Sequence, residues 1–229
     1  MHLHHHPFCP HSRFIRLMLS EYGLEPTLVE ERVWERRPEF LMLDPAGATP
    51  VLVEPNGFAV PGGTIIAEYI DETRGATFGD RRLLPVDIGA RVEVRRLSAW
   101  FNEKFFAEVS EPLVREKVFK RYMPREAGGG SPDMAAIRAA RANIRYHLHY
   151  IGWLLKARNW LAGDRLSYAD FAAAAHISCV DYLGDVPWDE DETAKIWYAR
   201  IKSRPSFRPL LAVTMAGIPP SACYADLDF

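Results

Sequence analysis

Asp44-Pro45-Ala46-Gly47-Ala48-Thr49-Pro50-Val51-Leu52-Val53, followed by Gly62-Gly63-Thr64-Ile65-Ile66-Ala67-Glu68-Tyr69-Ile70, decides the fold. It reads as loop, Thr-Pro, short apolar strand, hairpin, second short strand and helix. A proline in that place is either a strand's first residue or on an edge. Thr49-Pro50, in so tight a turn, is a candidate for a cis peptide bond, which X-Pro reaches at low cost. Asn56-Gly57 is the strongest short turn signal and closes a hairpin between Val51-Leu52-Val53 and Phe58-Ala59-Val60. The helix then runs from Gly63 to Thr73.

Upstream, His4, His5 and His6 lie in a first strand, His4 and His6 on one face and His5 on the other. Their spacing to Cys9 and His11 matches no zinc pattern, so no metal is expected. Phe14, Ile15, Leu17, Met18 and Tyr22 recur at helical spacing and Gly23 closes that helix. Cys9 stands at its N-terminus, where the helix dipole and free N–H groups favour a thiolate. Residues 26–31 form a second strand, parallel to the first across this helix. Trp34 follows among arginines and has two readings. It packs beneath the second helix, or it is an exposed binding anchor, since Trp and Arg dominate interface hot spots.

Downstream the strand pattern stops. Residues 75–87 have loop composition and connect a mixed unit (1–76, linker 77–87) to a helical one (88–217). Val94, Leu97, Phe101, Phe105, Val109 and Leu113 share one face of a long helix over 88–122, and Pro112 is expected to kink or divide it. Arg115 and Arg121 belong to its basic end, which is a solvated face or a site for an acidic partner. Ser131 or Asp133 caps the next helix. Ser167-x-x-Asp170 is a capping box opening another. The tail, 218–229, contains Pro219-Pro220 and ends Tyr224-Ala225-Asp226-Leu227-Asp228-Phe229. Its alternation of apolar and acidic residues reads as a segment packed back on the helices, as a short interaction element, or as both.

The chain has 229 residues, 48% of them apolar, a net charge of −2 and three widely spaced cysteines. That balance lacks the basic stripe nucleic-acid binding needs. No run approaches the roughly 20 apolar residues of a membrane span. The odd cysteines and the absence of an apolar leader predict a cytoplasmic protein without disulfides.

D-P-x-G-x-x-P-V-L with its hairpin and helix, L-x-G-D-x-x-S-x-A-D at 161–170 and W-x-x-R-x-x-x-R-P-S-F at 197–207 resemble the glutathione S-transferase family over nearly the whole chain. The resemblance implies an α/β thioredoxin-like N-terminal domain followed by an all-α domain. It also implies a glutathione site at Thr49, Pro50, 62, 63 and Thr64. The family has Glu-Ser at 62–63, holding the γ-glutamyl carboxylate. Here Gly62 and Gly63 stand there, so the site is degenerate. Cys9-Pro10-His11-Ser12 is similar to the thiol motif of cysteine-type transferases, which under an enzymatic reading makes Cys9 or Ser12 catalytic and glutathione the cosubstrate. The tail is similar to that of a transferase-like subgroup of alphaproteobacterial cell-division proteins. That similarity implies a non-catalytic homodimer, without cofactor, that binds filaments of the tubulin-like FtsZ at the division site. Tyr224, Asp226, Leu227, Asp228 and Phe229 are then partner-binding residues. Trp34, Arg115 and Arg121 join them on their hot-spot chemistry.

Overall fold

The computed structural model describes residues 1–227; Asp228 and Phe229 of the expected partner-binding set lie outside the described residues. Four strands, β1 (His2–His5), β2 (Thr27–Glu30), β3 (Val51–Val53) and β4 (Ala59–Pro61), form one sheet in the order β2-β1-β3-β4. β1 and β2 are parallel, joined across helix α1 (Pro10–Glu21); β1–β3 and β3–β4 are antiparallel. The register sets Leu3 opposite Leu52, and both are fully buried. Helices α2 (Pro38–Leu43) and α3 (Gly63–Arg74) complete this thioredoxin-like unit. Thr49-Pro50 is cis, and Gly23 closes α1 at φ 70°. β1 ends at His5, so His6 begins the turn into α1 and is buried with His5.

The second unit is helical. Helix α4 spans 88–122, α5 Met134–Leu155, α6 Tyr168–Tyr182 and α7 Glu192–Lys202. Every residue of α6 is buried. Its capping box is formed as expected, and Asp170 does more than cap. It accepts from the Ser167 N–H and hydroxyl, the Leu161 N–H and the Trp197 indole. Asp133, rather than Ser131, caps α5.

Of the two outcomes expected for helix α4 at Pro112, a kink or a division, the division does not occur. The turns of α4 widen to π geometry at Trp100–Ser110 and Arg115–Phe119. The cause is in the pattern. Leu97, Phe101, Phe105, Val109 and Leu113 repeat every fourth residue, and all are fully buried. A regular α-helix advances about 40° too far at each such step, turning the stripe from the core by about 160° over its length. Wider turns keep it inward. Pro112 lacks the N–H that would bond the Glu108 carbonyl, and the Asn143 side-chain amide takes that oxygen at 3.1 Å.

Among the described residues, two apolar clusters result. The larger joins α1, the sheet and the helices. The smaller contains Phe8, Val114, Val118, Cys179, Tyr182, Ile218 and Tyr224, with Phe119, Tyr122 and Met215 against it. It ties the turn before α1, the end of α4 and the tail together.

Candidate functional site: a thiol cleft, a ring-walled groove and a docked tail

Cys9 is the N-cap of α1 and is partly exposed. Its thiol lies 3.3 Å from the Thr49 carbonyl oxygen, which accepts from it. Burial alone would push the thiol up. Hydrogen bonding and charge from His11, with Ser12 and Thr49 contributing, outweigh it and bring the thiol down to about 7. The His11 Nε2 lies 2.9 Å from the Asn102 carbonyl. A carbonyl only accepts, so Nε2 carries the proton and Nδ1 is the ring's acceptor. Behind it, His176 is fully buried between Ser110 Oγ and Asn102 Oδ1. Ser12 is fully buried and accepts from the His6 N–H at 3.4 Å, so its hydroxyl is engaged by backbone.

A cleft of about 310 Å³ opens at Cys9, lined by His6, Pro10, His11, Val33, Gly47, Ala48, Thr49, Phe106, Glu111, Val114 and Phe119. Gly62, Gly63 and Thr64 are not among its lining residues. Gly62 is the N-cap of α3 at φ 87°, ψ 136°, a conformation open to glycine and strained for a side chain. Gly63 is buried, and a β-carbon there would make only ordinary contacts with His11. A glutamate at 62 would therefore strain the backbone, whereas a serine at 63 would not.

Trp34 sits on a short 3-10 turn (Val33–Glu35) whose end is fixed by Arg36 at φ 47°. The buried residue of α2 is Phe40. The indole leans on His6, at 5.7 Å between ring centres, and on Phe119, at 5.5 Å. Burial, then the charges of His5, Arg13 and Arg32, push His6 down to about 3, so the ring is neutral and its Nδ1 accepts from the Phe8 N–H. The partly exposed side of Trp34 lines a groove of about 190 Å³ with Pro7, Glu30, Arg32, Tyr122 and residues 214–216. Arg121 does not line the groove; it donates to the carbonyl of Gly217, one residue beyond the lining segment. Arg115 does not line the groove; it is exposed and pairs with Glu111 at 3.7 Å.

The tail is docked. The Ser221 N–H donates to the Tyr182 carbonyl, the Tyr182 hydroxyl to the Ile218 carbonyl, and Lys202 to the Cys223 carbonyl. Tyr224 is fully buried, which corrects its expected role as a contact residue: its ring has no surface to offer a partner. Its hydroxyl donates to the Leu210 carbonyl at 2.8 Å and accepts from Arg13 at 3.3 Å. Arg13, itself fully buried, also donates to Pro7 and Ser178 and lies over the Phe8 ring at 4.7 Å. Beyond this anchor Asp226 and Leu227 are exposed. The sequence offered no sign of Phe119, Tyr122 or Arg13 as site residues, and raised His6 only as a metal ligand, because each acts through neighbours distant in the chain. The nearest signal was an arginine on an otherwise apolar helix face.

A thioredoxin-like unit carrying a thiol at a helix start, set against a buried capping-box helix, defines the class. The chain belongs to the glutathione S-transferase family, whose N-terminal domain model matches residues 8–73 and C-terminal domain model residues 111–205. Within it, the chain is 47% identical over 99% of its length, and 97% of the other's, to the FtsZ-localized protein A of Caulobacter vibrioides. The crystal structure of a glutathione S-transferase from Sinorhizobium meliloti superposes with a TM-score of 0.97 at 55% identity, covering 100% and 99% of the two chains. FzlA from C. crescentus does so with 0.91 at 47% identity, covering 100% and 99%. Among the described residues, no helix is long and apolar enough to cross a membrane.

Proposed function

We propose that this protein is a non-catalytic adaptor that binds FtsZ filaments as a homodimer at the division site and regulates constriction. The observation that carries the reading is the docked tail. Tyr224 is held by Arg13 and Leu210 so that Asp226 and Leu227 stand outside on a fixed base. Ordering a recognition segment in advance removes part of the entropy cost of binding. The Trp34 groove, with Arg32 and Arg121 at hand, supplies the aromatic and guanidinium chemistry typical of interface anchors. A two-fold dimer presents each patch twice, and on a repeating filament two modest contacts combine by effective concentration. Support from relatives is the identity to FtsZ-localized protein A over nearly the whole chain. Gly62 supports the loss of glutathione binding. The test is co-sedimentation with FtsZ polymer under GTP. Wild type pellets with polymer, and Asp226→Lys pellets less while keeping its helical circular dichroism. Wild type left in the supernatant at every FtsZ concentration rejects the reading.

One observation favours a second reading. A thiol lowered to about 7 beside His11, in an open cleft, is suited to nucleophilic chemistry. Under it the protein is a glutathione-dependent transferase or thiol transferase acting through Cys9 or Ser12, the buried Ser12 hydroxyl also accepting from the His6 N–H. Retention on immobilised glutathione, with turnover lost in Cys9→Ala, would favour it over the adaptor.

A further inference from the structure

Of the sheet's two outer strands, β4 ends on Pro61, which has no N–H to offer a neighbour, whereas β2 carries no proline between Thr27 and Glu30. The Thr27 and Glu31 N–H groups bond inward, to the Met1 and His5 carbonyls. Alternation therefore turns the N–H and C=O of Leu28 and Glu30 to the free side. Leu28 is 44% exposed, although its partner in register, Leu3, is fully buried. Beside it a cavity of about 190 Å³ opens between β2, α1 and the short helix Arg208–Leu211, with Leu24, Pro26, Pro209 and Leu210 as its apolar lining and Arg16 as its cation. Arg16 bonds only the Pro209 carbonyl, at 3.4 Å, and among the described residues it makes no ion pair, not even with Glu25, which also lines the cavity. Burial, then the charge of Arg13, brings Arg16 down to about 10, so it remains a cation at neutral pH. At its far end the edge reaches Glu30, which lines the Trp34 groove.

We propose that the free edge of β2 takes up an extended peptide segment of another protein as a fifth strand, with an aliphatic side chain in the Leu28 cavity and a carboxylate, two residues away from it, on Arg16. Each part answers a group that the chain leaves open. The peptide backbone bonds the outward N–H and C=O groups of Leu28 and Glu30, which gives affinity, and its alternate side chains give specificity. An added strand lies about 4.8 Å from β2, so its side chains on the α1 face stand beside Leu28 and over the cavity. Residues on one face of a strand are two apart, hence the apolar–x–acidic spacing, in either order. A carboxylate there meets a guanidinium largely withdrawn from water, and such charge-assisted hydrogen bonds are the strong ones. A second copy of this chain fits less well, because its own Leu28 is committed to the lining of its own cavity. The inference does not rest on the adaptor reading. It gives the molecule a docking surface apart from the exposed Asp226 and Leu227 of the tail.

The test uses the full chain and three fluorescein-labelled, amidated peptides. Thr-Leu-Thr-Asp-Thr and its reverse, Thr-Asp-Thr-Leu-Thr, cover parallel and antiparallel addition. The control, Thr-Leu-Asp-Thr-Thr, has the same composition with the acid moved to the opposite face. One of the two orders is expected to bind saturably in fluorescence anisotropy, several-fold more tightly than the control. Arg16→Gln weakens it about ten-fold or more and erases the preference over the control. Leu28→Lys abolishes binding while the circular dichroism is unchanged. In the complex, amide hydrogen exchange slows at Leu28 and Glu30 and stays as it was at Thr27 and Glu31, which are already bonded. No binding of either order, equal binding of the control, or binding with unslowed exchange at Leu28 and Glu30 overturns the proposal. Slow exchange at both amides in the free chain, lost on dilution, also overturns it, because a second copy then holds the edge. No arm contains FtsZ, so failure here leaves the adaptor reading standing, and a chain that ignores the polymer leaves this inference standing.

Discussion

Replacing Tyr224 by alanine separates the tail from the rest of the molecule. The side chain is fully buried among Phe8, Tyr182 and Arg13, and its hydroxyl joins the Leu210 carbonyl to the Arg13 guanidinium. Removing a buried aromatic of this kind costs about 3–5 kcal/mol. The loss falls on docking of the tail more than on the main core, because these contacts belong to the smaller apolar cluster. At about 1.4 kcal/mol per factor of ten, the docked-to-free ratio of the tail drops by at least about a hundred-fold. Apparent affinity scales with the docked fraction, so binding to FtsZ polymer weakens by up to the same factor. Tyr224→Phe provides the graded control. The Leu210 carbonyl keeps the Val213 N–H and Arg13 keeps Ser178, so neither is orphaned. The cost is then about 1 kcal/mol and the affinity loss stays within about ten-fold. Co-sedimentation isotherms give the affinities, and limited proteolysis reports tail release directly. An alanine variant whose tail is cleaved rapidly but which pellets like wild type would refute the reasoning, since binding would then not need a docked tail.

Other outcomes are expected. Asp170→Ala strands the Leu161 and Ser167 N–H groups and the Trp197 indole in a fully buried place, so the melting curve shifts by a loss of more than about 3 kcal/mol. Gly63→Ser is accommodated with little change in melting temperature, whereas Gly62→Glu costs about 1–3 kcal/mol because its φ of 87° and ψ of 136° suit glycine. Scanning calorimetry distinguishes the two, and millimolar glutathione stabilises neither wild type nor Gly62→Glu. His6 is held at about 3 and His5 at about 4, both below an unfolded value near 6.5. A depressed folded pKa gives stability that is complete above the unfolded value and fades as pH falls towards the folded one. Urea midpoints should therefore drop from pH 7 to pH 4, and His6→Gln should flatten that slope.

Much of the fold was written locally. The Thr-Pro turn, the Asn-Gly hairpin and the Ser167–Asp170 box are each set by a few adjacent residues whose hydrogen bonding admits few alternatives. The π turns of α4 were also present in the spacing, since an apolar stripe every fourth residue cannot stay inward on a regular helix; Pro112 drew attention to a break that Asn143 removes. The site was less legible. Trp34 is an interface-type residue by composition, but its place depends on His6 and Phe119, respectively 28 and 85 residues away along the chain. Tyr224 looked like the others in an alternating acidic and apolar tail. Its burial with Phe8 and Tyr182, the Leu210 carbonyl and Arg13, more than two hundred positions earlier, turn it into an anchor.

The most direct test is a titration of FtsZ polymer with the unmodified full chain, with and without millimolar glutathione. Saturable binding, unchanged by the tripeptide and without heat from the tripeptide alone, is the predicted result. Tight glutathione binding by a chain that ignores the polymer would contradict the account.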